Sequence, residues 1–205
     1  MAAKILTSRT EQQPLPLPEL FHRVAVLGGS NAEKSQLLVG LALRQVRQQR
    51  NVLCLDGRRQ KQTEVQFRLL LRGRQSYIAL PPGDEVPREI AQKTLSMMSQ
   101  GLPAQPPLLL LDAVPETAAW EQTLAFLSKA GVGVVELLDD ASRLVFGRYD
   151  TVLLLRAKAD EAKIYSKTVG RRVEEGEVVA LPPGEGILLH LSQVWRVALP
   201  EVSIE

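Results

Sequence analysis

The sequence predicts a three-layer α/β fold with a mostly parallel sheet and antiparallel strands added at its C-terminal edge. Three observations carry that expectation. Apolar runs alternate with segments of helical spacing along most of the chain. Runs such as LLLLD (108–112) lack the polar alternation of a half-exposed strand, which is what a strand covered by helices on both faces looks like. The final stretch VVALPPGEGILLHLSQVWRVALP reads as two or three strands with no helix.

Taken in order, residues 1–20 end in PLPLPEL, whose prolines favour extended backbone, so this part reads as an arm preceding one domain over 21–205. RVAVLGG (23–29) is a buried strand running into glycines. Ala32 to Arg50 carries apolar residues at 37, 38, 41, 42 and 46 and is a helix. NVLCL (51–55) is a strand stopped by Asp56-Gly57, and 63–72 looks helical up to Gly73. SYIAL (76–80) is a strand ended by Pro81-Pro82-Gly83, and Asp84 to Gln100 a helix stopped by Gly101. After LLLLD comes a helix from Thr117, its N-cap, to Lys129. VGVVEL (132–137) and TVLLLR (151–156) are strands, and Ala159 to Val169 a helix ended by Gly170. ALPPGDE (79–85) and ALPPGEG (180–186) echo each other, but their flanks differ, so the echo reflects shared turn chemistry.

Composition narrows the function. The chain has 205 residues, 45% of them hydrophobic and 23% charged, a globular balance. The lone Cys54 excludes an internal disulfide and a cysteine zinc cage, and two histidines, His22 and His190, argue against a histidine metal site. No apolar run reaches the ~20 residues of a membrane helix, and the N-terminus lacks a signal-peptide core. The expectation is a soluble, cytoplasmic protein. There is no G-x-S-x-G elbow, and nine aromatic residues are few for base-stacking platforms.

The net charge of +2 hides an asymmetry. Residues 44–74 hold nine basic side chains (Arg44, Arg47, Arg50, Arg58, Arg59, Lys61, Arg68, Arg72 and Arg74) against two acidic ones, a local charge of +7. Such a block attracts an anionic partner, DNA or an acidic protein, unless it is a solvated arginine-rich face.

The most informative stretch is VAVLGGSNAEKSQLL, a strand, a glycine turn and a helix opened by Lys34-Ser35. A phosphate-binding loop is G-x-x-x-x-G-K-[ST] in that setting. Gly28, Lys34 and Ser35 stand at the right spacing, with Gly29 inside the loop, but Glu33 replaces the second glycine. At ~4 Å and an effective dielectric of 20, a carboxylate repels a phosphate charge by about 4 kcal/mol, half of the roughly 8 kcal/mol behind a micromolar affinity. Glu33 is thus a loop-blocking candidate, able to pair with Lys34 or an arginine and fill the loop itself. If the loop works, it takes ATP with Mg²⁺, the metal held by Ser35 and Asp112 at the end of LLLLD. Ala113 follows Asp112 where a water-orienting glutamate is usual; Glu116, beyond Pro115, reaches the site only if the loop folds back.

The order of these motifs resembles the RecA-like motor domain of the FtsK/HerA superfamily, which includes conjugative coupling ATPases. The resemblance covers about residues 21–195. It rests on the loop Gly28–Ser35, the Asp-ended strand in LCLDGR (53–58), the acid-ended LLLLD, TVLLLRAKADEAK, YSKTVG, and LPPGEGILL (181–189), a turn into an edge strand. It implies ring assembly around DNA, with Arg143 and Arg148 as candidates to complete a neighbour's site. The chain departs from that pattern at Glu33, at Ala113, and at VVELLDD, where a sensor glutamine would be expected. Three functions remain open: a non-hydrolysing assembly or DNA-associated relative of such ATPases that self-associates through the old ring interface; an active ATPase using Lys34, Ser35, Asp112 and Glu116; and a nucleic-acid-binding regulatory module using the arginines of 44–74.

Overall fold

The computed structural model describes residues 13–14, 22–58, 64–67, 75–80, 86–100, 106–145 and 147–200. Their strands are β1 (Gln13–Pro14), β2 (Arg23–Leu27), β3 (Val52–Asp56), β4 (Gln75–Ala79), β5 (Leu108–Asp112), β6 (Gly133–Leu137), β7 (Thr151–Leu154), β8 (Glu185–His190) and β9 (Gln193–Ala198). The helices are α1 (Asn31–Arg47), the helical residues 64–67 (α2), α3 (Val86–Gln100), α4 (Ala118–Lys129), α5 (Ala159–Thr168) and α6 (Glu175–Val179).

Among the described residues the strands form one sheet in the order β1-β9-β8-β7-β2-β6-β5-β3-β4. β7, β2, β6, β5, β3 and β4 are parallel neighbours. β8 runs antiparallel to both β7 and β9. The all-parallel part explains the uninterrupted apolar runs. α1 and Phe67 of α2 cover one face, packing on Val24, Val26, Cys54, Leu110 and Val135. α3 and α4 cover Leu53, Leu55, Leu109 and Leu111 on the other. On that same face α5 and α6 cover Ala25, Leu27, Val152 and Leu154. Every residue of β2, β3 and β5 is consequently buried.

Three details depart from the sequence reading. The C-terminal stretch is not free of helix, because α6 runs into its first two residues, Val178 and Val179. The Pro-Pro-Gly turn at 182–184 leads into β8, which is not an edge strand, since β9 and β1 lie outside it. The arm is not wholly apart from the sheet: Gln13 and Pro14 pair parallel with Val197 and Ala198. A proline suits that place, because an edge strand tolerates a missing N–H. The helix expected over 63–72 is described only at 64–67, and Arg59, Lys61, Arg68, Arg72 and Arg74 lie outside the described residues. No helix among the described residues is long and apolar enough to cross a membrane.

Candidate phosphate-loop site

The C-terminal ends of parallel strands are where ligands bind in open α/β sheets. Here the ends of β2, β6, β5 and β3 bring together Gly28, Lys34, Leu138, Asp139, Asp112 and Arg58.

Gly28 and Gly29 have φ of +80° and +74°, the left-handed region that favours glycine. A Cβ on Gly28 would stand 2.6 Å from the Leu155 carbonyl oxygen, and one on Gly29 would stand 2.8 Å from Leu155 Cδ1. The turn is thus packed against the chain that leaves β7, and the Gly29 N–H donates to the Arg156 carbonyl at 2.8 Å.

The helix begins early. In a phosphate-binding loop the backbone from the first glycine to the lysine wraps the phosphate. Here Ser30 is already the N-cap and Asn31 the first helical residue, so Ala32, Glu33 and Lys34 are helical. A capping box explains this. The Glu33 N–H donates to Ser30 Oγ at 3.2 Å, while Glu33 Oε2 accepts from the Ser30 N–H at 2.7 Å. The Lys34 N–H donates to the Ser30 carbonyl at 3.0 Å. The residue that replaces the loop glycine therefore closes the loop into a helical turn, and the backbone donors of Ser30, Glu33 and Lys34 are already used. Glu33 takes Ser30 as its partner.

Lys34 turns towards β6. Its ammonium donates to the Leu138 carbonyl at 3.1 Å and lies 3.5 Å from Asp139 Oδ1. Burial, and then the Arg58 charge, pull its pKa below the ordinary lysine value. Ser35 is buried in the first turns of α1. Asp112 is buried at the end of β5, in register with the equally buried Asp56. Burial pushes the Asp112 pKa up, outweighing Arg58, which pulls it down. Asp56 accepts from the Tyr77 hydroxyl, and the Tyr77 pKa is driven well up, first by burial and then by that hydrogen bond.

Arg58 ties the site together. Its Nε donates to Asp112 Oδ1 at 2.8 Å and its Nη1 to Asn31 Oδ1 at 2.9 Å, while Nη2 pairs with Asp139. The sequence places Arg58 with the basic block. The structure sets it at the C-terminal end of β3, whereas Arg44 and Arg47 occupy the last turn of α1 and Arg50 precedes β3 at its other end. Five strand residues, about 16 Å, separate the two groups along the sheet.

The remaining candidates gather elsewhere. Glu116 pairs with Arg143, whose Nη2 also donates to the Val114 carbonyl at 3.0 Å and lies 3.6 Å from Glu136 Oε1. Arg148 Nε is 3.0 Å from Glu121 Oε2. Both arginines are thus held within the chain. Ala113 has φ of +49°, and its carbonyl lies 2.1 Å from where a Gly57 Cβ would be, so Gly57 is required there. Sequence reasoning missed the roles of Asn31 and Asp139, and it missed the buried network of Arg23, Glu121, Glu136 and Tyr149. The available signal for Asp139 was VVELLDD, an acid just past a strand end beside the loop.

A strand entering a glycine turn and helix, with an acid-ended strand two places away in a parallel sheet, defines a P-loop NTPase fold. Solved structures of that fold align along most of the chain. The DNA-packaging ATPase B204 from Sulfolobus turreted icosahedral virus aligns with a TM-score of 0.67 at 11% identity, covering 85% of this chain and 96% of that one. The genome packaging NTPase B204 from Sulfolobus turreted icosahedral virus 2 aligns in its complex with ATP-gammaS with a TM-score of 0.62 at 11% identity, covering 87% and 97%. Its AMP complex gives 0.63 at 13% identity, covering 85% and 95%. At such identities the likeness is one of fold, and the fold is the one implied by the FtsK/HerA resemblance. No protein-family model and no curated protein sequence matches the chain.

Proposed function

We propose that this chain is a non-hydrolysing relative of P-loop ATPases that acts as an assembly or DNA-associated protein. The observation that carries this reading is the Ser30–Glu33 capping box, which turns the loop into helix from Asn31 onward. A loop in that state offers a triphosphate few free backbone donors, and it presents a carboxylate where the motif has a bare glycine. The residues named for ATP and Mg²⁺ do not fit those ligands as they stand. Lys34 is committed to Leu138 and Asp139, and Asp112 to Arg58. Glu116, the candidate to orient water, is paired with Arg143.

The assembly or DNA role draws on the likeness to DNA- and genome-packaging NTPases. The separation of Arg58 from Arg44, Arg47 and Arg50 favours it over a nucleic-acid module built on one continuous patch across 44–74. Calorimetry with ATP and Mg²⁺ tests the reading, on the wild type and on Glu33→Gly. The expected result is no binding by wild type and measurable binding by Glu33→Gly. Micromolar binding by wild type would instead favour an active ATPase, to be followed by hydrolysis assays on Asp112→Ala.

A further inference from the structure

The P-loop fold implies a Mg²⁺ ion shared by Ser35 and Asp112, and the side chains around Asp112 can be tested against it. The Asp112 carboxylate is 3% exposed, and its Oδ1 already accepts from Arg58 Nε at 2.8 Å. The other two nitrogens of the same guanidinium are spent on Asn31 and Asp139. A second cation, the Lys34 ammonium, lies 3.5 Å from Asp139. A dication entering beside two monocations meets repulsion and finds Asp112 Oδ1 already engaged by Arg58, so the residues present do not fit a bound metal.

The geometry points to a substitute: we propose that Arg58 is a resident cation that does for this site what a divalent metal would do. Three guanidinium nitrogens reach three different elements, namely the end of β5 through Asp112, the start of α1 through Asn31, and the end of β6 through Asp139. Arg58 itself hangs from the end of β3. One planar cation with donors in a fixed fork thereby cross-links the ligand-binding ends of three strands and a helix. A lysine, as a point charge, would keep the charge but not the three-way reach. The proposal rests on the non-hydrolysing reading of the site, but its evidence is Arg58 and not the loop.

The experiment is thermal unfolding of the full chain, free of nucleotide, with and without millimolar Mg²⁺ or Mn²⁺ at matched ionic strength. The wild-type midpoint should not move with either metal. Arg58→Ala should unfold about 5–10 °C lower and recover part of that loss when metal is added. The recovery should vanish when Asp112→Asn is combined with Arg58→Ala. Arg58→Lys should fall between wild type and Arg58→Ala and ignore the metals. If Arg58→Ala folds only when metal is present, the proposal stands in its strongest form. A wild-type midpoint raised by Mg²⁺ and not in Asp112→Asn would overturn it. So would an Arg58→Ala protein as stable as wild type, or one destabilised and indifferent to both metals. ATP hydrolysis by a wild type whose midpoint ignores free metal would sink the non-hydrolysing reading instead, so the two failures look different.

Discussion

Two charged networks lie along strand β6, one within it and one just past its end, and are held together in opposite ways. At the C-terminal strand ends, Lys34, Arg58, Asp112 and Asp139 meet where the sheet opens, and the Asp139 side chain is 49% exposed. Deeper, on the α4 face, the side chains of Arg23 and Glu136 are each 5% exposed and lie 3.1 Å apart. Glu121 brackets the same guanidinium at 3.3 Å through both carboxylate oxygens, Tyr149 donates to Glu136 at 2.8 Å, and Arg23 sits 4.8 Å above the Tyr149 ring. Burial pulls the Arg23 pKa down, but the Glu121 hydrogen bond and the Glu136 charge carry it above its ordinary value. At Lys34 the balance falls the other way and burial wins. In the deep network opposite charges outweigh the burial of Arg23, although its Nε has no hydrogen-bond partner, whereas in the upper one burial of Lys34 and Asp112 outweighs their partners. Function, not stability, is the usual reason for keeping such charges.

The largest expected effect comes from breaking the deep network. Arg23→Met takes the nearest cation from buried Glu136 and leaves it the longer Arg143 contact at 3.6 Å, a loss of about 3 kcal/mol of stability. Urea unfolding measures it. Adding Glu136→Met should recover much of that loss, because the penalty is the stranded charge. A cost under ~1 kcal/mol for Arg23→Met would erase the distinction between the two networks.

Next comes the cap that closes the loop. Ser30→Ala removes the acceptor for the Glu33 N–H and should cost about 1 kcal/mol. The same urea titration reads it. A loss as large as that of Arg23→Met would mean that the loop turn, and not the deep pair, anchors this part of the fold.

The fold was legible in the sequence because its signals are local and redundant. LLLLD, LCLD and VAVL each report burial on both faces without help from the others. The boundary that mattered was harder. Helical spacing starts the first helix at Ala32, one residue from its observed start at Asn31, yet phosphate-loop spacing sets it at Lys34. A capping box needs only a serine and a glutamate three residues on, and Ser30-Asn31-Ala32-Glu33 has that pattern. Arg58 escaped because summing charge along the chain ignores which end of β3 a residue occupies. Arg23 and Glu136 escaped because they are 113 residues apart and meet only through the register of β2 and β6.

The smallest effect is also the cleanest test of the contrast. The Lys34 pKa lies below 10.5 in the folded chain, chiefly from burial and then from Arg58, with Asp112 only partly offsetting them. As pH rises through that depressed value the native state gives up the proton first, while the unfolded chain keeps it until about 10.5. Within that window the unfolded state binds more protons, so stability gains with rising pH relative to a chain lacking the amine. Below the window both states are charged and the burial penalty is constant. Stability differences between wild type and Lys34→Met, followed by urea unfolding across neutral to alkaline pH, should therefore be flat at first and then shift in favour of wild type. Arg23 has no such window, because its partners hold it charged throughout. A difference curve that stays flat to 10.5, or tilts towards Lys34→Met, would mean that Leu138 and Asp139 satisfy Lys34 as fully as Glu121 and Glu136 satisfy Arg23. The upper network would then be as well matched as the deep one.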